Sequence, residues 1–423
     1  MKIDIVDYGM NGEGVGKLDG KICLIQNALI GENIDAELIK DMKNYSILEN
    51  KKINKISENR VKPICPYYNI CGGCDLQHMS YTEQIKFKQL LVKKTIKKIC
   101  AIDVDVRPTI ASKLEYGYRN KISLTVNNNK IGFYKYNTNE LVEIKKCFLA
   151  SEKINKIIKI LQKFLKNNEK ISKNLKNVVI REINSKFLIG FVSVCEIDVS
   201  YFINLINNQN LNFGVYEIIN TRQDKVVLSG KTKHIYGLKE IENKCFDLTY
   251  SVDLLAFHQT NIDIQNKIYS HVLKYISSDD RVVNGFSGQG LLSAIIANHA
   301  KKVVGIEINK SAHLASEKLK QDNNIKNLLN VNADFNKVIE KYKNYNFLIL
   351  DPAKKGCGKD NINKIIGFKQ IIYISCNPIA LSKDINLLKD KYEIKEITPF
   401  DMFPNTKNVE TFVLLKLKEN LWL

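Results

Sequence analysis

One cysteine stands in a sequence context suited to covalent chemistry. Cys376 ends the apolar run 371–376 and is followed by Asn377 and Pro378, where a helix is predicted to begin. The partial positive charge at a helix N-terminus lowers the pKa of a thiol, and the thiolate is the nucleophilic form. The alternative is an inert core cysteine, since free cysteines are among the most buried residues. The pattern indicates Cys376 as a covalent nucleophile.

A single carboxylate enters the last apolar segment of the chain. Glu410 follows Asn408 and Val409 and precedes the mostly apolar run 411–417. A carboxylate in apolar surroundings has a raised pKa and can serve as a general base near neutral pH. A charge at a strand edge facing solvent would give the same pattern, and the sequence alone does not separate the two. We predict that Glu410 is the base.

Glycines and carboxylates follow successive strand-like runs in register. The first run leads into the turn 287–290, the second ends at Glu307, and the third leads to Asp334. Glycines let the backbone approach a ligand, and an acid after the second strand suits ribose hydroxyls. Asp334 is placed to accept the adenine amino group, although each acid alone fits a helix N-cap or a surface charge equally well. Asp351 and Cys376 end the next two strands and have the character of a reaction site. S-adenosylmethionine therefore fits this pattern better than NAD does.

Four of the ten cysteines have a spacing that suits metal ligands. Cys65, Cys71 and Cys74 form a Cx5CxxC cluster, and Cys147 lies far along the chain. Disulfides are rare in a reducing compartment, so metal binding is the better interpretation of this cluster. Spacing alone allows zinc or an iron–sulfur centre, and it favours zinc by frequency.

Strands and helices alternate in the part of the chain that must position these groups. Strands are predicted at 282–286, 303–307, 347–351 and 371–376, followed by two closing strands, and 328–334 is predicted as a short strand and its loop. One helix is predicted at 309–321 and another from Pro378. Apolar strands that alternate with helices indicate a parallel sheet covered on both faces. We therefore predict an α/β, Rossmann-like domain over 251–423.

Two further domains are predicted before residue 251. Short strands joined by glycine-rich turns such as 12–16 make 1–56 typical of a small β-barrel of the OB type. An SH3-like barrel without a ligand is the alternative. Residues 57–250 mix strands with an amphipathic helix and indicate an α+β central domain. Apolar residues at helical spacing predict one more helix over 81–99.

The chain is strongly basic. Lys and Arg number 64 against 45 acidic residues in 423, a net charge of +19. This excess favours a polyanionic partner, because each neutralised phosphate releases a counterion. An AT-rich genome would explain the lysines but not the shortage of acids. The sequence has neither an apolar run of about 18 residues nor a signal-peptide pattern, so we expect a cytoplasmic protein. We also expect no obligate protein partner.

These motifs closely resemble those of the RNA uracil-5-methyltransferases, specifically the 23S ribosomal RNA (uracil-5-)-methyltransferase branch. The segment 257–261, Phe-His-Gln-Thr-Asn, is similar to the FxQxN motif of that family, and 402–404, Met-Phe-Pro, leads towards Glu410 as in the family. The resemblance covers essentially the whole chain. It implies that Cys376 is the nucleophile and Glu410 the general base. The residues that it implies as contacts of S-adenosylmethionine are Gln259, Phe286, Glu307, Asp334 and Asp351.

The resemblance also bears on the other two domains. It implies that 1–56 is a TRAM-like RNA-binding barrel and that the helix 81–99 packs on the methyltransferase domain. It further implies that the cysteines hold a [4Fe-4S] cluster rather than zinc. The cluster would join the central domain to an RNA-binding surface, since methyl transfer contains no redox step. The four implied ligands are Cys65, Cys71, Cys74 and Cys147.

The reaction implied by the resemblance is methylation of carbon 5 of a uridine in RNA. Carbon 5 becomes nucleophilic only after a thiolate adds to carbon 6, and a base must afterwards remove the carbon 5 proton. Cys376 and Glu410 supply these two groups, while Asp351 supports the placement of cofactor and base. The target uridine must leave its stack, so an RNA loop is expected rather than a perfect duplex.

The chain departs from the family pattern at four positions. The family usually has Asp at Asn284, often Cys at Ser287, Arg at Lys354 and His at Asn405. Lysine lacks the planar fork of arginine, so a bidentate contact is expected to be weaker. These changes bear on efficiency and substrate positioning rather than on the class of reaction.

Three competing functions follow from the same sequence. The nearest is the same reaction on transfer RNA, against which the TRAM-like barrel and the cysteine cluster argue. The second is a weakly catalytic RNA-binding factor in ribosome assembly, suggested by the four departures. A small-molecule methyltransferase is disfavoured by the charge and by the added barrel.

Overall fold

The computed structural model describes residues 1–224 and 226–419. Three large sheets, of six, seven and seven strands, follow one another along the chain. A two-stranded hairpin lies between the second and the third. In the described part of the chain, no helix combines the length and apolar character needed to cross a bilayer.

The N-terminal sheet buries a small core of its own. Its strand order is β1-β5-β6-β4-β3-β2, and only the β4–β6 pairing is parallel. Ile25 and Ile34 are fully buried inside it. The strands are β1 (Lys2–Asp4), β2 (Asp7–Tyr8), β3 (Gly14–Leu18), β4 (Lys21–Ile25), β5 (Asn33–Asp41) and β6 (Tyr45–Lys55).

The glycine-rich segment 12–16 was predicted as a turn, and this was wrong for its second half. Gly14 and Gly16 lie within β3. A Cβ atom on Gly16 would come within 2.3 Å of the Ile3 side chain, so the glycine serves close packing inside the sheet rather than a turn.

The central sheet follows the long helix α1. Its order is β13-β12-β11-β10-β7-β8-β9, and only the β11–β12 pairing is parallel. Helices α2 and α4 pack on one face of this sheet through an apolar cluster that includes Ile158, Phe164 and Phe202. The elements are α1 (Tyr81–Cys100), β7 (Lys121–Asn127), β8 (Lys130–Tyr134), β9 (Leu141–Glu143), α2 (Glu152–Lys166), α3 (Glu169–Asn174), β10 (Leu175–Ile183), β11 (Lys186–Ser193), α4 (Ser200–Asn207), β12 (Asn212–Ile219), β13 (Lys231–Gly237), β14 (Ile241–Cys245) and β15 (Leu248–Val252).

The C-terminal sheet has the strand order β18-β17-β16-β19-β20-β22-β21. Strands β16 to β20 are parallel, and β22 is antiparallel to both of its neighbours. The elements are α5 (Ile262–Leu273), β16 (Arg281–Gly285), α6 (Leu291–Ala297), β17 (Lys302–Glu307), α7 (Lys310–Asp322), β18 (Leu328–Asn332), α8 (Phe335–Val338), a 3₁₀ turn (Ile339–Tyr342), β19 (Phe347–Leu350), α9 (Lys359–Ile365), β20 (Gln370–Ser375), α10 (Pro378–Leu388), β21 (Tyr392–Phe400) and β22 (Glu410–Leu417).

Both faces of the C-terminal sheet are buried, which confirms the predicted α/β class. Neighbouring residues of one strand enter different cores, since Ile349 packs with α5 and α6 while Leu348 packs with α1, α9 and α10. Strand order reverses between β16 and β19, and ligands of such sheets bind beyond the carboxyl ends at this point. Cys376 follows β20 at that edge, and the antiparallel β22 begins there with Glu410.

Helix α1 lies on the C-terminal sheet although it precedes the central sheet in the chain. It packs against α10, and the Cys100 thiol donates to the carbonyl of Ser382 at 3.1 Å. Lys88, in the middle of α1, forms a fully buried ion pair with Asp401 and donates to the Phe403 carbonyl at 3.0 Å. The loop between β21 and β22 is therefore fixed from the side of α1. The predicted domain boundaries at 56 and 250 remain a prediction.

Candidate active site

Cys376 and Glu410 lie at the same sheet edge because of the β20–β22 register. Ser375 pairs with Thr411, the last pair of this ladder, so the next residues along are Cys376 and Glu410. Glu410 is only 5% exposed. This burial excludes the alternative of a solvent-facing charge at the strand edge. Cys376 is half-buried rather than sealed in the core.

The ionisation of Glu410 is strongly disfavoured. Burial raises its pKa well above the ordinary value, and the neighbouring charge of Asp351 raises it further, whereas Lys354 opposes the shift. Burial also raises the pKa of Asp351 to about 7. Two adjacent carboxyl groups of this kind share a proton near neutral pH. Such a pair is suited to proton transfer in the physiological range.

The predicted lowering of the Cys376 pKa was wrong. Burial raises it to about 11, and the charges of Glu410 and Asp351 add to that shift. The charge of Lys354 lowers the pKa of Cys376, but by less than burial or the charge of Glu410 raises it. Desolvation and two carboxylates outweigh the helix N-terminus that the sequence indicated. In the free protein the thiol is therefore mostly protonated at neutral pH.

The loop that carries Lys354 is anchored behind the site. The carbonyl of Lys354 accepts from the Asn377 side chain at 2.8 Å. Farther on, the Cys357 amide and the Tyr373 hydroxyl both donate to Asp384, at 2.7 and 2.6 Å. Lys354 is thus held opposite the two carboxyl groups from a fixed backbone.

Three of the five predicted cofactor residues, Phe286, Glu307 and Asp334, lie at the carboxyl ends of β16, β17 and β18. Glu307 accepts the backbone amides of Gly288 at 2.9 Å and Asn309 at 2.7 Å. Phe286 has a positive φ of 60° and stacks on Phe335 with ring centroids 4.9 Å apart. Together these contacts shape the turn after β16 around the Glu307 carboxylate.

Asp334 has the N-cap role that the sequence left open as its alternative. Its carboxylate accepts from the Asn336 amide at 3.1 Å at the start of α8. A cap of this kind keeps the side chain at the strand end.

Gln259 lies in the segment between β15 and α5. Its carbonyl accepts from the Asn120 side chain at 2.9 Å, so the central sheet fixes its backbone. Asn261 caps α5 and also donates to Ser112 at 3.0 Å and to the Met402 carbonyl at 3.4 Å. The FxQxN-like segment is thereby tied to the loop that leads into Glu410.

Sequence reasoning missed two residues of this region. Tyr269, on α5, is close enough to Asp351 for that charge to add to the effect of burial, which raises the tyrosine pKa well above its ordinary value. Asn405 was noted only as a departure from the family. It is fully buried with φ of 66°, a conformation that asparagine tolerates better than most residues. No local pattern marks either residue.

Asn405 connects three parts of the chain to the loop before Glu410. Its carbonyl accepts the amides of Asp75 and Leu76, each at 3.1 Å. Its side chain accepts from Gln84 on α1 at 3.2 Å and donates to the Glu115 carbonyl at 2.8 Å. Of the other departures, Asn284 donates to Ser293 at 2.8 Å within the core.

All four predicted cysteine ligands line one cavity of about 70 Å³. Burial raises the pKa of Cys65 and of Cys71, and it raises that of Cys74 to about 12. Within residues 1–224 and 226–419, no three His, Cys, Asp or Glu side chains form a group arranged to hold a metal ion. A single zinc ion requires sulfurs at about 2.3 Å, and the thiols are not gathered in that way. The cysteines that line this cavity are Cys65, Cys71, Cys74 and Cys147.

Comparison with known proteins gives one consistent result. The family model of the tRNA (uracil-5-)-methyltransferases matches residues 80–418. An uncharacterized RNA methyltransferase of Clostridium acetobutylicum is 32% identical over 98% of this chain and 96% of its own length. One from Caldanaerobacter subterraneus is 33% identical over 98% of this chain and 97% of its own.

A solved structure extends the similarity to the fold. The Pyrococcus abyssi tRNA (uracil-54, C5)-methyltransferase in complex with S-adenosyl-L-homocysteine superposes with a TM-score of 0.79 at 25% identity. The match covers 98% of this chain and 100% of that one. The similarity therefore includes the N-terminal sheet, which lies before the segment matched by the family model.

Proposed function

This chain belongs to the tRNA (uracil-5-)-methyltransferase family, and we propose that it methylates carbon 5 of a uridine in 23S ribosomal RNA. Membership makes it an RNA methyltransferase that uses S-adenosylmethionine. The observation that supports the specific reaction is the meeting of Cys376 with the buried Glu410 at the carboxyl edge of the sheet. A nucleophile and a base on one side of a pyrimidine ring are what methylation of carbon 5 requires.

In the proposed mechanism, the Cys376 thiolate adds to carbon 6 and the electrons of the C5–C6 double bond move to form an enolate. S-adenosylmethionine supplies the electrophilic methyl group that carbon 5 then accepts. Glu410 removes the proton from carbon 5, the double bond re-forms, and the carbon–sulfur bond breaks to release the thiolate. Asp351 shares a proton with Glu410 and so sets the fraction of Glu410 that is ionised.

The proposed cofactor contacts divide by chemistry. Glu307 suits the ribose hydroxyls and Asp334 the adenine amino group, while Phe286 offers a ring face beside them. We assign Gln259 and Asp351 to the end of the cofactor that carries the methyl group. Equilibrium binding of S-adenosyl-L-homocysteine to Glu307→Gln should weaken about tenfold or more, with Glu317→Gln on α7 as the control.

A covalent trap tests the nucleophile. A 23S ribosomal RNA transcript that contains 5-fluorouridine should give a stable protein–RNA adduct with S-adenosylmethionine, because fluorine at carbon 5 cannot leave as a proton. Cys376→Ala should abolish the adduct, and the exposed Cys195→Ala should not. An adduct that persists in Cys376→Ala would exclude this mechanism.

Ribosomal RNA is proposed over transfer RNA from the cysteine cavity alone. The TRAM-like barrel expected at 1–56 does not separate the two substrates, because the Pyrococcus structure is similar to this chain over the N-terminal sheet as well. Transfer RNA is the second candidate, because the matching family model and the Pyrococcus structure both carry that substrate in their names. Mapping 5-methyluridine in both RNAs, with and without this gene, distinguishes them. Loss of the modification from transfer RNA alone would overturn the ribosomal assignment.

We further propose a [4Fe-4S] cluster in the cysteine cavity. A cuboidal cluster holds its four thiolates farther apart than a single zinc ion does, and this is compatible with thiols that line a common cavity without gathering at a point. Its role is structural, since the reaction has no redox step. After anaerobic purification, visible absorption and about four irons per chain are expected. Stoichiometric zinc without iron would refute the cluster.

A further inference from the structure

A groove between the N-terminal sheet and α1 opens beside the segment that follows Cys376. Its volume is about 330 Å³, within the range of about 300–1,000 Å³ that is typical of ligand pockets. It is bordered by the loop after β2, one side of α1 and the first turn of α10. The lining residues used below are Met10, Phe87, Leu90, Lys94, Lys98 and Ile379.

The chain itself limits the distance between this groove and the nucleophile. Ile379 lines the groove and stands three positions after Cys376. Three residues span at most about 11 Å when fully extended, and here the span is shorter because α10 begins at Pro378. The wall formed by α1 is held near the same place, since α1 packs against α10. The groove therefore lies within reach of the nucleotides that flank a uridine bound at Cys376.

The side of α1 that lines the groove changes from apolar to cationic along the helix. Phe87, Leu90, Lys94 and Lys98 recur at intervals of three or four residues, so they follow one another along the same side. Lys94 forms an ion pair with Asp7, which attaches β2 to the helix, whereas Lys98 is exposed at the end of the groove. This side of α1 thus offers apolar surface first and positive charge after it.

The other walls are apolar and open to solvent. Met10 is 43% exposed and Ile379 is 39% exposed. The two hydroxyl groups of the lining already have acceptors, since Thr95 donates to a carbonyl of its own helix at 2.7 Å and Tyr8 donates to a buried carboxylate at 2.8 Å. The groove therefore presents apolar contact surface without a pattern of free hydrogen-bonding groups. Exposed apolar surface of this kind, rimmed by charge, is typical of binding sites.

We propose that the groove seats the base of an unpaired nucleotide next to the target uridine, while Lys98 contacts an adjoining phosphate. The inference rests on the proposed function, since it requires an RNA loop at the Cys376 edge. The lysine at its end and the net charge of +19 match a polyanion rather than an apolar segment of a protein. Every base has an apolar face, so a seat without hydrogen-bonding groups accepts all four. Holding the neighbouring base keeps the strand unstacked while the uridine meets the thiol.

Abasic RNA tests the seat without requiring catalysis. Mapping first identifies the methylated uridine, in ribosomal or transfer RNA. Stem-loop transcripts of that RNA then carry one abasic residue at each of the two positions on either side of it. Their Kd values are measured by fluorescence anisotropy with S-adenosyl-L-homocysteine present. We expect one position where loss of the base weakens binding about tenfold or more, and where exchange among the four bases changes Kd less than about threefold. No such position, or a strong preference for one base there, overturns the proposal.

Variants of the groove assign that position to its seat. Leu90→Glu places a carboxylate in the apolar wall, so the penalty for the abasic residue should fall below about threefold. Met10→Glu, at an exposed position, should have the same effect and does not depend on the packing of α1. Lys86→Met lowers the net charge by the same one unit at an exposed position of α1 outside the groove, and it should retain the tenfold penalty. A full penalty in both groove variants would overturn the seat.

The phosphate contact has its own measurement. Lys98→Gln should make the slope of log K against log salt shallower by about 0.7, the contribution of one phosphate on a single strand. Lys97→Gln removes the neighbouring lysine, which is paired with Asp103 outside the groove, and should leave the slope unchanged. An equal slope in Lys98→Gln and the wild type would overturn the phosphate contact. A wild-type protein that neither binds nor methylates either RNA would overturn the proposed function instead.

Discussion

Burial disfavours ionisation of the reacting groups of this site in the free protein. Burial raises the pKa of Cys376, of Glu410 and of Asp351, and the charges of the two carboxyl groups raise the pKa of the thiol further. Lys354 is the cation that opposes these shifts. Lys354 is exposed, so the surrounding water and salt partly screen its charge. The protonation of the reacting groups therefore depends on opposing electrostatic effects, and replacing a single residue can change which effect prevails.

Lys354→Met should shift the pH dependence of methyl transfer. Without this cation the pKa values of Glu410 and Cys376 rise, and both groups act in their deprotonated forms. The acidic limb of kcat against pH should move upwards by up to about one unit. Lys354→Arg should keep the wild-type limb, and Lys355→Met, at the neighbouring exposed lysine, should leave it in place. An unmoved limb in Lys354→Met would contradict the electrostatic role.

The stability of Asp351→Asn relative to that of the wild type should increase from acidic to alkaline pH. The folded pKa of about 7 lies above the unfolded value of about 3.9. The folded state therefore retains the proton, and wild-type stability falls as pH rises from about 4 to 7. The variant lacks this loss, so its advantage in melting temperature should grow by about 2–4 °C between pH 5 and 8. Methyl transfer should be lost at the same time.

The control for this measurement is Asp390→Asn. Asp390 is exposed beyond α10, so its replacement should change the melting temperature equally at both pH values. A gap that stays constant with pH in Asp351→Asn would mean that the carboxyl is ionised in the fold.

At the scale of elements, the ends of the parallel strands could be predicted from the sequence. The hairpin and the long-range contacts that hold the site in place were not predicted. The apolar runs that end at Glu307, Asp351 and Cys376 have the length and flanking turns of parallel strands, and these strands are present. The hairpin of β14 and β15 was missed, although its residues alternate regularly between buried and more exposed positions. The contacts of Asn405 join segments far apart in sequence, so no local pattern predicts them.

Lys88→Met should loosen the attachment of α1. The change leaves the Asp401 carboxylate buried without its cation, and one of its oxygens already lacks a partner among the described residues. Removing one member of a buried ion pair costs about 3–5 kcal/mol of unfolding free energy. Urea denaturation measures the loss.

Two further variants separate charge from packing in this experiment. Lys88→Met combined with Asp401→Leu should recover most of the stability, because no unpaired charge remains. Lys86→Met, at an exposed position of α1, should stay within about 0.5 kcal/mol of the wild type. A loss below about 1 kcal/mol in Lys88→Met would show that the pair is not a fixed attachment.

For the whole molecule, the composition predicted the class of binding partner, but it did not predict which surface binds that partner. The excess of 64 basic over 45 acidic residues indicates a polyanion, and the family membership identifies it as RNA. The six-stranded N-terminal sheet was only half seen in the sequence, since glycines such as Gly16 there serve packing inside a strand. Residue type is local information, whereas the space around a glycine is set by distant chain segments.

RNA binding should depend steeply on salt, whereas cofactor binding should not. With about five phosphates neutralised on a single-stranded loop, log K should fall with log salt at a slope of about −3.5. Fluorescence anisotropy of a labelled ribosomal RNA stem-loop between 50 and 300 mM KCl measures this slope. S-adenosyl-L-homocysteine, titrated in the same buffers, releases few counterions and should show a slope near zero. An RNA slope shallower than about −1 would mean that the net charge of +19 lies mostly away from the bound strand, and that base contacts supply most of the affinity.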